Sequence, residues 1–267
     1  MKKDNKRVVV ITGASSGIGL TTAKYFNENN FVVYNLSRRS ANDNSINSIS
    51  CDITNTAQVK EAINKIVKKE QKIDVLINNA GFGISGSIEN QEMEEIKRQF
   101  EVNFFGAVNV TQQVLPIMRK QGYGKIINTS SVAGIIPIPF QSFYCATKSS
   151  LEIWAKALRL EVKPFNIQVC NVLVGDTKTG FTKVREKTSV EKEGVYAKTV
   201  EKSVLKMEKD EQNGKDPITV SKVMLKLANK RKMPPTKTVG ALYNFLLILE
   251  KFLPQKFMLW VVSKMYA

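Results

Sequence analysis

The chain has no histidine, so the side chain whose ordinary pKa lies nearest neutral pH is missing. A hydrolase built on a serine-histidine-aspartate triad is thereby excluded, and any acid-base chemistry falls to other groups. Cysteine is scarce. Cys51, Cys145 and Cys170 stand far apart, match no metal-ligand spacing and are too few for a disulfide framework in 267 residues. Reduced thiols in a cytoplasmic setting are the expectation, and no metal is expected. The opening stretch, MKKDNKRVVVITG, runs from basic residues straight into a short β-branched segment, so a secretion signal is not expected. Acidic residues are also short: 24 against 40 lysines and arginines, a formal charge of +16. That balance favours an anionic partner. The basic residues form no arginine-rich arm and accompany no nucleic-acid motif, so nucleic acid is not expected and most lysines are read as solvated surface.

What is present alternates. RVVVIT precedes a helix from about Gly17 to Asn29; FVVYNL precedes a polar loop up to Asp52 and a helix from about Thr56 to Glu70. IDVLIN, a long helix through about Arg119, KIINTS, a helix holding FYCATKSSL, and IQVCNVL follow. Short β-rich runs separated by helices imply parallel strands joined by crossovers. The expectation is one α/β domain over residues 1–267: a Rossmann-like, doubly wound parallel sheet of about seven strands with helices on both faces and a helical C-terminal extension. Residues 6–180 form its cofactor and catalytic core, 181–237 a variable loop with one or two helices, the better one after Pro217, and 238–267 apolar C-terminal helices. Lys251, Pro254, Lys256 and Lys264 break that last segment into short pieces, below the ~20 residues that span a bilayer.

Ligands of such sheets bind at the carboxyl ends of the strands. After the first strand comes TGASSGIG, whose Gly13, Ser15, Ser16, Gly17, Ile18 and Gly19 let backbone and a helix amino-terminus approach a pyrophosphate. The second strand ends in Ser37, Arg38 and Arg39, where an NAD site would present an acid to the ribose hydroxyls. Arginine suits a 2′-phosphate, so the cofactor expected is NADP(H). Tyr144 and Lys148, four apart on a helix, share one face, and a neighbouring ammonium would lower the tyrosine pKa. That pair could replace the missing imidazole.

TGASSGIG, NNAG at Asn78 to Gly81, VNFFG around Asn103, NTSS at Asn128 to Ser131, and YCATK resemble, in order and spacing, the short-chain dehydrogenase/reductase family over roughly residues 6–180. The resemblance implies Tyr144 as proton donor or acceptor and Lys148 on the nicotinamide ribose. It implies Ser131, thirteen residues before the tyrosine, on the carbonyl, and Asn103 holding a water. It further implies Asp52 and Ile53 at the adenine and Asn79, Ala80 and Gly81 at the adenosine ribose. Val174, Gly175, Thr177 and Thr179 would follow the sixth core strand, Thr179 reaching the nicotinamide amide. Where the family has proline before that glycine stands Val174, which predicts a looser loop.

The tail resembles hydroxysteroid, retinol and keto-lipid dehydrogenases. Ile135, Ile136, Ile138, Pro139, Phe140 and Phe181 would make an apolar wall, with Ile138 and Phe181 at the substrate. The leading expectation is an NADP(H)-dependent oxidoreductase interconverting alcohol and ketone on a hydroxysteroid or similar lipid. A reductase of 3-oxoacyl thioesters or small xenobiotic ketones, and a non-catalytic NADP-binding regulator, stay open. The C-terminal segment is read as a lid, a subunit contact or an interfacial helix on a membrane. By resemblance a homo-oligomer, dimer or tetramer, is expected.

Overall fold

The computed structural model describes residues 6–181, 185–188 and 194–266. Seven parallel strands form the main sheet: β1 (Arg7–Thr12), β2 (Phe31–Ser37), β3 (Asn47–Ser50), β4 (Val75–Asn78), β6 (Gly124–Ser131), β7 (Ile167–Val174) and β9 (Thr236–Thr238). Their order is β3-β2-β1-β4-β6-β7-β9. The polar loop expected before Asp52 thus contains an edge strand, whose NSIS has one apolar residue and gives no period-two signal. Two short segments, β5 (Ile84–Ser85) and β8 (Glu186–Lys187), pair apart from the main sheet.

Successive side chains of a strand point to opposite faces, and both faces are covered, so the strands read as unbroken apolar runs. Val8 and Val10 pack against α2 (Thr56–Glu70), α4 (Gly106–Gln121) and α5 (Ser142–Glu161). Val9 and Ile11 face α1 (Gly17–Glu28) and α7 (Pro217–Asn229). The long middle helix is three pieces: α3 (Met93–Phe100), one π turn at Glu101–Phe105, and α4. The variable region holds α6 (Ala197–Gln212) and α7; residues 182–184 and 189–193 lie outside the described residues. The chain closes with α8 (Ala241–Phe252) and α9 (Gln255–Tyr266), separated by Pro254, which cannot continue a helix. Among the described residues no helix is long and apolar enough to cross a membrane.

A buried amide ladder crosses the sheet. Asn78 Nδ2 donates to Asn128 Oδ1 and Asn128 Nδ2 to Asn171 Oδ1, each at 2.9 Å, and Asn171 Nδ2 donates to the Glu152 carbonyl on α5 at 3.3 Å. The helix that carries Tyr144 and Lys148 is thereby tied to three adjacent strands.

Candidate active site

Every sequence-predicted catalytic side chain meets at the carboxyl end of β4, β6 and β7. Lys148 Nζ lies 5.7 Å from the centre of the Tyr144 ring and donates to the Thr129 carbonyl at 2.9 Å. Ser131 Oγ accepts from the Ala133 N–H at 3.1 Å, donates to the Val174 carbonyl at 3.3 Å, and hydrogen-bonds Tyr144. Ser130, its neighbour, is buried towards Glu152. The π turn places Asn103 inward, as such turns often do at functional sites. Its Nδ2 donates to the Phe82 carbonyl at 2.9 Å and the Thr147 hydroxyl at 3.2 Å, and its Oδ1 accepts from the Phe82 N–H at 3.0 Å. A Cβ on Gly81 would come within 3.1 Å of Asn103 Oδ1 and 3.6 Å of Lys148 Nζ, so main chain, amide and ammonium converge there.

The sequence predicts that Lys148 lowers the Tyr144 pKa; in the folded protein burial decides otherwise. Loss of solvent pushes Tyr144 up to about 12, against the opposing hydrogen bond from Ser131. The same loss pulls Lys148 down to about 8, opposed by the Glu152 carboxylate one turn along. The ammonium is turned to the Thr129 carbonyl and is itself close to releasing its proton, so it contributes little to the tyrosine. Tyr144 therefore stands protonated at neutral pH. With Ser131 beside it, the pair can donate two hydrogen bonds to one ligand oxygen.

The other side of the cleft is made largely by main chain. Thr12 Oγ1 accepts from the N–H groups of Asn79 and Ala80 at 2.9 and 3.0 Å, and Asn79 Nδ2 returns a bond to the Thr12 carbonyl at 3.1 Å. Gly13 has φ 69°, and a Cβ there would sit 2.8 Å from the Ala80 backbone; one on Gly19 would sit 2.5 Å from Asn79 Nδ2. Ser16 heads α1 in extended conformation without a side-chain cap, Ser15 is partly exposed beside it, and the first turn carries no acid. Ile18 packs on the sheet. Thr179 overhangs this loop, 3.7 Å from a Cβ placed on Gly17.

Ser37 Oγ donates to the Arg39 carbonyl, and Arg38 and Arg39 are exposed with no ion-pair partner among the described residues. Asp52 Oδ1 caps Thr54 at 3.0 Å. Ile53 turns its side chain into the core against Gly106, leaving only its backbone for a ligand. Thr177 is buried with its hydroxyl on the Gly175 carbonyl at 3.0 Å, so it shapes the loop and does not face the cleft.

A short chain dehydrogenase family profile matches residues 7–189. This chain belongs to the short-chain dehydrogenase family. The dehydrogenase is 41% identical over 265 residues to 3-ketodihydrosphingosine reductase of Bacteroides thetaiotaomicron, covering 98% of each chain. A short-chain dehydrogenase structure from Streptomyces avermitilis superposes with TM-score 0.82 at 28% identity, over 94% of this chain and 93% of that one. ElxO with NADP bound superposes with TM-score 0.75 at 26% identity, over 90% and 99%.

The family's cofactor is a nicotinamide dinucleotide, and the residues fit it. The α1 amino-terminus has no side-chain cap on its N–H groups among the described residues, and Gly13 and Gly19 keep the loop tight against Ala80 and Asn79. A Cβ on Gly17 would meet only Thr179, at 3.7 Å, so the loop leaves its N–H groups open to a pyrophosphate. When bound, the dinucleotide supplies or accepts hydride.

Three features of the dehydrogenase escape a sequence reading. Arg185, buried, pairs with Glu211 and stands 5.6 Å from the Phe181 ring centre, which is 6.1 Å from that of Tyr144. Tyr243 packs its ring over Gly175, where a Cβ would lie 2.2 Å away; its hydroxyl accepts from the Asp176 N–H at 3.1 Å and bonds the Asp176 carboxylate. The loop that the missing proline was to loosen is therefore fastened from outside, by α8. Finally, Ile135, Ile136 and Pro137, a few residues beyond Ser131, line a 180 Å³ cavity closed by Glu250, Leu253, Gln255, Met258, Leu259 and Val262. Ile138 lies alongside, its N–H on Cys145 Sγ at 3.4 Å. No spacing rule foretells contacts that cross so much chain.

Proposed function

We propose that the dehydrogenase is an NADPH-dependent reductase of a long-chain amino ketone, a sphingoid-type lipid. The observation that carries this reading is the cavity lined by Ile135 to Pro137, in the segment that follows Ser131: apolar on most of its wall, with one carboxylate, Glu250, that has no ion-pair partner among the described residues. A hydroxysteroid, the leading expectation from sequence, offers Glu250 no cation, whereas an amino ketone does. The similarity to a 3-ketodihydrosphingosine reductase supports the same choice.

In this reading Ser131 and Tyr144 hold the ketone oxygen. Hydride received at the carbonyl carbon leaves that oxygen negative, and Tyr144 gives its proton to it. Lys148 holds the nicotinamide ribose, and Asn103 anchors the water path behind it. Asn79, Ala80 and Gly81 line the adenosine ribose, with Asp52 at the adenine and Thr179 at the nicotinamide amide. Arg38, with Arg39, grips the 2′-phosphate through charge-assisted hydrogen bonds; the likeness to ElxO with NADP bound supports that cofactor. The outer face of α5 exposes Ile153 (69%) and Leu160 (73%), which supports a homo-oligomer joined there.

The test follows nicotinamide absorbance with NADPH or NADH against 3-ketodihydrosphingosine, oxosteroids and 3-oxoacyl thioesters, with Tyr144→Phe as the blank. Turnover confined to oxosteroids or thioesters overturns the reading. Glu250→Gln is expected to raise KM for the amino ketone about tenfold, the scale of one charged hydrogen bond, and to leave that for its N-acetylated form unchanged.

A further inference from the structure

The two C-terminal helices present an outward surface that the rest of the described chain does not cover. On α8, Leu242, Phe245, Ile248 and Phe252 recur at helical spacing on the outer side, and Phe252 is 81% exposed. Leu247 is buried on the opposite side. On α9, Phe257 and Trp260 stack with ring centres 5.8 Å apart, and Trp260 is 56% exposed while Val262 is buried. Among these residues stand Lys251, Lys256 and Lys264, all exposed. The one acid of the two helices, Glu250, lines the cavity beneath.

We infer that this face docks on the surface of an anionic lipid bilayer. Twelve-residue helices, each about 18 Å long, are too short to span a bilayer but suited to lying in its interface. Aromatic rings settle at the headgroup boundary, and lysines lay their alkyl stems along the apolar surface while the ammonium reaches the phosphates. The +16 charge of the chain adds long-range attraction to such a surface.

A second copy of the chain is the competing occupant, and the charges disfavour it. Around a twofold axis each lysine-bearing stripe would meet its own copy, and interface cores are depleted in lysine. The same helices form one wall of the cavity lined by Ile135 to Pro137, so docking brings that wall to the phase where a long-chain ketone resides. The purpose of the docking rests on the lipid reading above. The assay contains neither cofactor nor substrate, so it can fail while that reading stands.

The experiment sediments the full chain with vesicles of phosphatidylcholine alone or mixed with phosphatidylglycerol. Binding to the mixed vesicles is expected to be at least about tenfold stronger, and to weaken with salt. Phe252→Ser/Trp260→Ser should lose that binding with the assembly mass unchanged by sedimentation equilibrium. Lys251→Gln/Lys256→Gln/Lys264→Gln should lose the preference for phosphatidylglycerol. Equal sedimentation with both vesicles, none with either, or a fall in assembly mass in the serine variant overturns the inference.

Discussion

The two walls of the cleft are made of different material. Towards α1 the wall is main chain: glycines, N–H groups and a threonine that braces Asn79 and Ala80. Towards α8 and α9 it is side chain: Tyr243 over Gly175, Arg185 beside Phe181, Glu250 among isoleucines and leucines. Main-chain geometry admits few residue types, so it writes itself into sequence as a motif. Side-chain packing admits many solutions, and it leaves none.

Substitutions can break or sharpen that contrast. The largest effect is expected from Gly13→Val, which adds a branched side chain at positive φ within 2.8 Å of the Ala80 backbone. Stability should fall by about 3 kcal/mol and affinity for NADPH by more than about 100-fold in calorimetric titration.

Next comes Lys148, whose side chain crosses from the catalytic helix to the main chain of β6. Its folded pKa of about 8 lies below the ordinary value near 10.5, so between those values the unfolded chain holds more protons. Stability must then rise with pH across that window. In urea titrations the wild type should gain up to about 3 kcal/mol relative to Lys148→Met from pH 8 to 10.5. A flat difference would show that the ammonium is solvated.

Arg38→Ser is smaller and more selective. It should raise KM for NADPH about 30-fold, with NADH unaffected, the scale of a charged hydrogen bond to phosphate. The smallest effect, and the one that would blur the two walls, belongs to Tyr243→Ala. About a tenfold rise in NADPH KM is expected from removing the ring over Gly175, although Tyr243 lies far along the chain from the glycine motif. An unchanged KM would confine the tail to the substrate.

The same contrast explains what could be read in advance. Tyr144 and Lys148 are legible because helical spacing puts both on one face, and the parallel sheet is legible from the β-branched runs that alternate with helices. The depressed tyrosine pKa was misjudged because a four-residue spacing carries no information on burial, which acts on both groups at once. Asn103 was found by its motif, but the π turn that aims it inward has no sequence signature. Edge strand β3 was missed for want of apolar alternation. Arg185 and Tyr243 lay in the lysine-rich tail and the apolar end, where nothing distinguishes a wedge from surface.

The amide ladder has a direction. A carbonyl can only accept, so the Glu152 carbonyl obliges Asn171 to donate, which turns its oxygen to Asn128, whose own oxygen then turns to Asn78. Reversing one amide would set two oxygens or two N–H groups face to face, so the three flip together or not at all. The unmatched end is visible at the far side, where Asn78 Oδ1 has no partner among the described residues. The ladder thus works as a ruler with a single mark: it accepts α5 at one height over the sheet, with Lys148 one turn and Tyr144 two turns from Glu152.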